Sequence, residues 1–199
     1  MNKSKYYRPD RLHLIGFLVC AALFALGCVA GAVASGALPP DTPMSEYIAS
    51  LARADNPGFG GRFLSALCTS GKFHALVLFF AFSALGIAAI PAVSALRGFL
   101  LCFAVTSVIR CYGASGVPYA LLMFAPEALI SVPGLLLLST HSMLSSATLL
   151  RACMPHTGGQ TTALGMVFVR RVALSTAFLC VSALIDAAAA PWLAKYFLG

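Results

Sequence analysis

The chain has 199 residues, of which 60% are hydrophobic and 10% are charged, and its formal net charge is +7. An ordinary soluble domain carries roughly 25% charged residues, so this composition excludes that class of protein. The basic residues lie beside apolar blocks and form no basic face interleaved with aromatic residues. This placement argues against nucleic-acid binding and indicates contact with the headgroups of a lipid bilayer.

The first apolar block covers residues 12–36 and follows a basic stretch at the N-terminus. It is longer than the roughly 7–15 apolar residues of a secretory signal, so the sequence predicts a retained transmembrane helix. Within it, Gly27 and Gly31 have the GxxxG spacing that lets two membrane helices approach closely. The pair is either a packing face or a chance match in a glycine-containing span.

A polar segment follows at residues 37–72, and it is too short to fold as a domain of its own. We expect an outer loop there, with residues 44–54 forming a short surface helix. The next 24 residues, between Lys72 and Arg97, carry no charge. As a helix they would measure about 36 Å, which exceeds the roughly 30 Å of the hydrocarbon core. We therefore predict a second span at residues 73–91, ending at Pro91.

The third and fourth spans carry charges and prolines. The third is predicted at residues 94–112, because the side chains of Arg97 and Arg110 can extend to opposite membrane interfaces. The fourth is predicted at residues 119–141, after a glycine-rich turn. Pro126 and Pro133 each remove a helix hydrogen bond within this span, so we expect it to be kinked or broken.

A cytoplasmic loop at residues 142–169 and a fifth span at residues 170–190 complete the plan. The sequence thus predicts an all-α integral membrane protein, a single membrane domain of about five transmembrane helices. Under this plan eight of the 13 basic residues lie on the side of the N-terminus. Because basic residues favour the cytoplasmic side, we expect a cytoplasmic N-terminus and an external C-terminus.

Two carboxylates fall in apolar surroundings, Glu127 in the fourth span and Asp186 in the fifth. An acidic residue at the centre of a span costs about 2.5–3.5 kcal/mol, so Glu127 needs a partner or a wet cavity. Arg110, across the turn that precedes the fourth span, is the nearest candidate partner. A role in helix packing is favoured, and a proton or ion relay, as in transporters with broken helices, stays open.

No arrangement typical of an enzyme or a metal site occurs in the sequence. The seven cysteines are odd in number and lack paired CxxC spacing, and the four histidines form no cluster. Neither paired intramembrane aspartates nor an HExxH motif is present. We therefore expect no catalytic residue, no cofactor and no metal.

The order of features from residue 73 onward resembles the stage II sporulation protein M family of bacterial membrane proteins. The features that carry the resemblance are an apolar span ending in Gly86-Ile-Ala-Ala-Ile-Pro91, the pair Arg97-Gly98, Pro126-Glu127 with Pro133 seven residues on, and Asp186 with four alanines and Pro191. At position 186 this chain has Asp where the family would have Glu. The segment 38–72 shows no match to the family.

The resemblance implies a non-enzymatic scaffold in the bacterial cell membrane that acts during sporulation, in engulfment. Its implied partners are the peptidoglycan-degrading stage II sporulation proteins D and P. The residues in these motifs, together with Gly27, Gly31 and Arg110, are the candidates for packing or interaction. A transporter or permease-like subunit that uses the fourth helix is the alternative, and the oligomeric state stays open.

Overall fold

The computed structural model describes residues 9–37, 59–153 and 166–198, nearly all of which are helical. The predicted surface helix at residues 44–54 lies outside the described residues, as do residues 154–165 of the predicted cytoplasmic loop. The helices are α1 (Pro9–Ala37), α2 (Phe59–Ala81), α3 (Gly86–Tyr112), α4 (Gly116–Cys153) and α5 (Met166–Leu198), with a 3-10 turn (Gly113–Ser115) between α3 and α4.

Four of these helices are long and apolar enough to cross a membrane, and they make the chain an all-α membrane protein. The four stretches are Leu12–Ala37, Phe59–Ala81, Gly86–Tyr112 and Phe124–Leu150. The shortest has 23 residues, which corresponds to about 35 Å of helix. In α5 the apolar stretch among the described residues is shorter, Val172–Ile185, so a fifth span stays a prediction.

The distribution of side chains is the reverse of that in a soluble bundle. Large apolar side chains such as Leu26, Phe79 and Leu129 are exposed, whereas many serines are buried. In a lipid environment the apolar side chains face the hydrocarbon, and small polar residues mediate contact between the helices. The surface is therefore suited to a bilayer.

The second span begins earlier and ends earlier than predicted. Its helix starts at Phe59, so residues 59–72 are helical and not part of a loop, and it ends at Ala81 and not at Pro91. The chain reverses at residues 82–85, where the amide of Gly86 donates to the carbonyl of Ser83 and the hydroxyl of Ser83 accepts from the amide of Leu85. Gly86 lies against the backbone of Phe80, where a side chain would clash. These local hydrogen bonds and this close contact set the break.

The third helix is correspondingly longer than predicted. It starts at Gly86 rather than at residue 94, and Pro91 lies inside it and is buried. Arg97 is therefore near the middle of α3, not near its end. The expected extension of the Arg97 side chain to an interface is wrong for this reason.

The fourth helix runs without interruption through both prolines and continues twelve residues beyond His141. The expectation of a break at Pro126 or Pro133 is therefore wrong, and a bend at either proline stays a prediction. The predicted loop at residues 142–169 is helical at both of its ends, up to Cys153 and again from Met166. Within the added length, Ser146 lies beside Gly86 at the start of α3 and donates to the carbonyl oxygen of Ser83 in the turn before it.

The largest interface joins α1 and α3. These two helices run in the same direction, because Gly27 lies against Ala95 and Ser35 lies against Ser107. An apolar cluster connects α2, α3 and α4 and consists of Val77, Ile90, Val93, Leu135 and Leu138. Two charged residues, Arg97 of α3 and Glu127 of α4, are largely buried within the same group of helices.

Candidate functional site: a buried polar cluster between three helices

Three helices each contribute one polar side chain to a single contact inside the bundle. The Nη2 atom of Arg97 in α3 lies 2.7 Å from Oε1 of Glu127 in α4 and 3.2 Å from Oγ of Ser70 in α2. The hydroxyl of Ser70 also donates to Oε1 of Glu127. One carboxylate oxygen thus accepts from two donors, one of which is charged, and charge-assisted hydrogen bonds of this kind are the stronger ones.

The contact lies deep within the membrane-spanning helices. Ser70, Arg97 and Glu127 each lie eleven residues after the first residue of their helix. At about 1.5 Å per residue, each of the three residues lies roughly 16 Å along its helix. The side chains of Arg97 and Glu127 are 8% and 16% exposed. An ion pair at this depth is costly unless its two charges meet, and here they do.

Two aromatic residues of α2 complete the site. The guanidinium carbon of Arg97 lies 5.1 Å from the centroid of the Phe73 ring, within the range of a cation–π contact. His74 lies one helical turn beyond Ser70, and its Nδ1 is 3.4 Å from the carbonyl oxygen of Ser70. We use the name polar cluster for Ser70, His74, Arg97 and Glu127.

The predicted partner of Glu127 was wrong. Arg110 does not pair with Glu127; it donates a hydrogen bond to the carbonyl oxygen of Ser35 in α1. It is exposed near the end of α3, next to a hydrogen bond of 2.9 Å between the hydroxyls of Ser35 and Ser107. Arg97 is the partner because α3 begins eight residues earlier than predicted, which brings Arg97 to the depth of Glu127.

Gly27, Gly31 and Gly98 lie where α1 and α3 cross. A methyl group added at Gly27 would overlap the carbonyl oxygen of Ala95, and one added at Gly31 would overlap that of Phe99. From the other helix, Gly98 lies equally close to the backbone of Phe24. The GxxxG pair thus lies at a contact that no larger residue would permit, and Gly98 is the neighbour of Arg97 in sequence.

The remaining candidates from the sequence lie apart from the polar cluster or cannot be placed against it. Pro126 precedes Glu127 and is partly buried, while Pro133 is exposed. Asp186 and Pro191 belong to α5, but their side chains lie outside the described residues.

Sequence reasoning missed Ser70 and His74. Residue 70 fell in a segment interpreted as a loop, and residue 74 was treated as an isolated histidine. Their spacing of four residues, which places both on one face of a helix, was the signal that could have paired them. It becomes informative only when residues 59–72 are known to be helical.

Serine hydroxyls form further contacts between helices. Ser94 of α3 donates to Ser139 of α4 over 3.2 Å, and Ser175 of α5 donates to the carbonyl oxygen of Gly134 over 2.9 Å. Ser146 donates to the carbonyl oxygen of Ser83 in the turn after α2 over 2.6 Å. Hydrogen bonds of this kind hold membrane helices together where apolar side chains gain nothing over lipid.

Within the described parts of the chain, no three His, Cys, Asp or Glu residues come together as a metal site would require. No family model matches the chain, and no characterised protein or solved structure matches it either. The structure defines the class, a helical membrane protein with an ion pair inside its bundle. The resemblance to the stage II sporulation protein M family stays a prediction.

Proposed function

We propose that the chain is a non-enzymatic membrane scaffold that anchors or localises peptidoglycan-degrading partners, in the setting of sporulation engulfment. The observation that supports it best is the set of contacts made by Glu127, the only carboxylate among the described side chains. Its Oε1 atom is held by Arg97 and Ser70, so the charge serves to join α2, α3 and α4. A bundle locked in this way suits an anchor whose helices keep fixed positions.

The packing of α1 on α3 supports the same proposal. The glycine contacts bring the two backbones together, and the serine contacts between α3, α4 and α5 extend the network. Such an interior is occupied by helix-to-helix contacts. Binding to partners then belongs to the lipid-facing surfaces and to the segments between helices.

The partners come from the family resemblance, and they are stage II sporulation proteins D and P. We assign their docking to the outer segment 38–58, which carries three carboxylates at positions 41, 46 and 55. This assignment assumes a cytoplasmic N-terminus and an external C-terminus in the bacterial cell membrane. Peptidoglycan hydrolases act outside that membrane, so the outer segment is the one they can reach.

The test is purification in mild detergent from the native host, with identification of the proteins recovered. We compare the natural chain with two variants, one with residues 41–55 replaced by a glycine–serine segment of equal length and one with residues 154–165 replaced in the same way. Hydrolases recovered in fixed ratio with the natural chain and with the second variant, but lost with the first, support the scaffold. Equal recovery from all three contradicts docking on the outer segment, and the absence of any hydrolase with the natural chain contradicts the scaffold.

The second candidate is a transporter or permease-like subunit, and the buried ion pair between Arg97 and Glu127 favours it. Ionisable residues inside a membrane are often part of an ion or proton path. Flux into proteoliposomes distinguishes the two functions. A saturable flux that Glu127→Gln abolishes and Arg110→Gln leaves intact would support transport, because Arg110 lies outside the polar cluster. The absence of flux in the natural chain would exclude this candidate.

A further inference from the structure

One ring nitrogen in the polar cluster has no hydrogen-bond partner among the described residues. His74 is only 6% exposed, and its Nε2 atom is buried. A buried polar atom without a partner is uncommon in proteins and calls for a physical explanation. Because this atom belongs to the same polar cluster as the ion pair, we consider whether it binds a proton.

The contact made by the other ring nitrogen decides which kind of group Nε2 is. Nδ1 faces the carbonyl oxygen of Ser70, which can only accept a hydrogen bond. Nδ1 therefore carries the proton, and in the neutral ring Nε2 is left with a lone pair. Nε2 is a base that lies inside the bundle without a donor.

The charges around His74 are those of the ion pair. Arg97 of α3 donates to the hydroxyl of Ser70, whose carbonyl oxygen faces His74. The same hydroxyl donates to Glu127 of α4. From α5 the described ionisable side chains are Cys180 and Arg170, and Arg170 is exposed near the start of that helix. As long as Arg97 and Glu127 are both charged, the polar cluster is neutral overall.

We propose that His74 is a proton-binding residue inside the membrane domain, and that Nε2 takes its proton from the aqueous phase. The step forms one N–H bond at Nε2, moves no electrons and changes the charge of the polar cluster from zero to +1. Burial and the like charge of Arg97 both oppose the imidazolium, and Glu127 reduces the second of these effects because it offsets the charge of Arg97. The inference goes beyond the scaffold proposal and does not depend on any partner: it would give a scaffold a response to pH, and a transporter its proton site.

The test uses the full chain in proteoliposomes, labelled with ¹⁵N-histidine and studied by solid-state NMR between about pH 8 and about pH 5, the range in which histidines change charge. The variant His74→Gln identifies the His74 signals by their loss. His156, in the segment between α4 and α5, provides an internal comparison. We expect the two nitrogen signals of His74 to change from those of a neutral ring to those of an imidazolium within this range. Signals that stay neutral throughout overturn the proposal.

Two charge variants test the role of the ion pair. In Glu127→Gln the charge of Arg97 is uncompensated, and we expect the imidazolium signal of His74 to be lost within the same pH range. In the double variant Arg97→Gln, Glu127→Gln that charge is gone as well, and the imidazolium signal should return. Identical titration of His74 in the natural chain and in Glu127→Gln overturns the assigned role of Glu127. The measurement on the natural chain decides the main proposal even if a variant fails to fold.

Discussion

The ion pair between Arg97 and Glu127 makes a quantitative prediction about stability. The donor and acceptor atoms are 2.7 Å apart, and both side chains are largely buried. Two unit charges about 4 Å apart attract by about 4 kcal/mol at an effective dielectric constant of about 20. Removing one partner of a buried pair costs about 3–5 kcal/mol, because the other charge is left uncompensated. We expect each of the single variants Arg97→Gln and Glu127→Gln to lose an amount in this range.

The double variant distinguishes an ion pair from two independent residues. Glutamine at both positions keeps polar side chains of similar size but leaves no buried charge. We therefore expect the double variant to lose clearly less free energy of unfolding than the sum of the two single losses. The assay is reversible unfolding of the purified protein by titration of sodium dodecyl sulfate into mixed micelles, followed by circular dichroism.

Arg110→Gln is the matched control, because it removes an arginine of the same helix that bonds to Ser35 and not to Glu127. Its loss should add to that of Glu127→Gln within about 0.5 kcal/mol, as for independent sites. If the losses of Arg97→Gln and Glu127→Gln add, while Arg110→Gln and Glu127→Gln show coupling, the pairing described above is refuted.

Three further predictions concern contacts made by α1 and α3. Gly27→Ala should lose about 1–3 kcal/mol in the same titration, because the added methyl overlaps the backbone of α3, whereas Gly36→Ala, with open space around it, should not lose stability. Cys28 faces α3 beside Gly98, and its thiol is close enough to that of Cys102 for the two to interact, so a membrane-permeant thiol oxidant should join them in a disulfide that peptide mass spectrometry detects. Ser94→Ala removes one interhelical hydrogen bond and should lose about 0.6 kcal/mol, a typical value between membrane helices.

Different results would contradict each of these three. Equal losses for Gly27→Ala and Gly36→Ala would show that α1 and α3 do not approach as described. A disulfide between Cys28 and any cysteine other than Cys102 would show that α1 and α3 contact each other through different faces. A loss above about 2 kcal/mol for Ser94→Ala would indicate a role beyond a single hydrogen bond.

Long uncharged stretches were enough to predict that the chain is an all-α membrane protein. The reason is local: a segment in lipid must satisfy its own backbone hydrogen bonds, and a helix does so without help from the rest of the chain. The GxxxG spacing of Gly27 and Gly31 was also visible locally. The sequence could not predict that their neighbours are Ala95 and Phe99, because this depends on which face of α3 turns toward α1.

Only the tertiary structure decided where helices end and which charges meet. Pro91 was predicted to end a helix, yet α3 continues through it. The chain turns instead at residues 82–85, which contain no proline. That shift moved Arg97 from a helix end to the middle of the bundle and brought residues 59–72, with Ser70, into a helix. Side chains 27 to 57 residues apart then share one contact. The partner of a buried charge is set by helix depth and rotation, which are properties of the packed bundle and leave no periodic signal in the sequence.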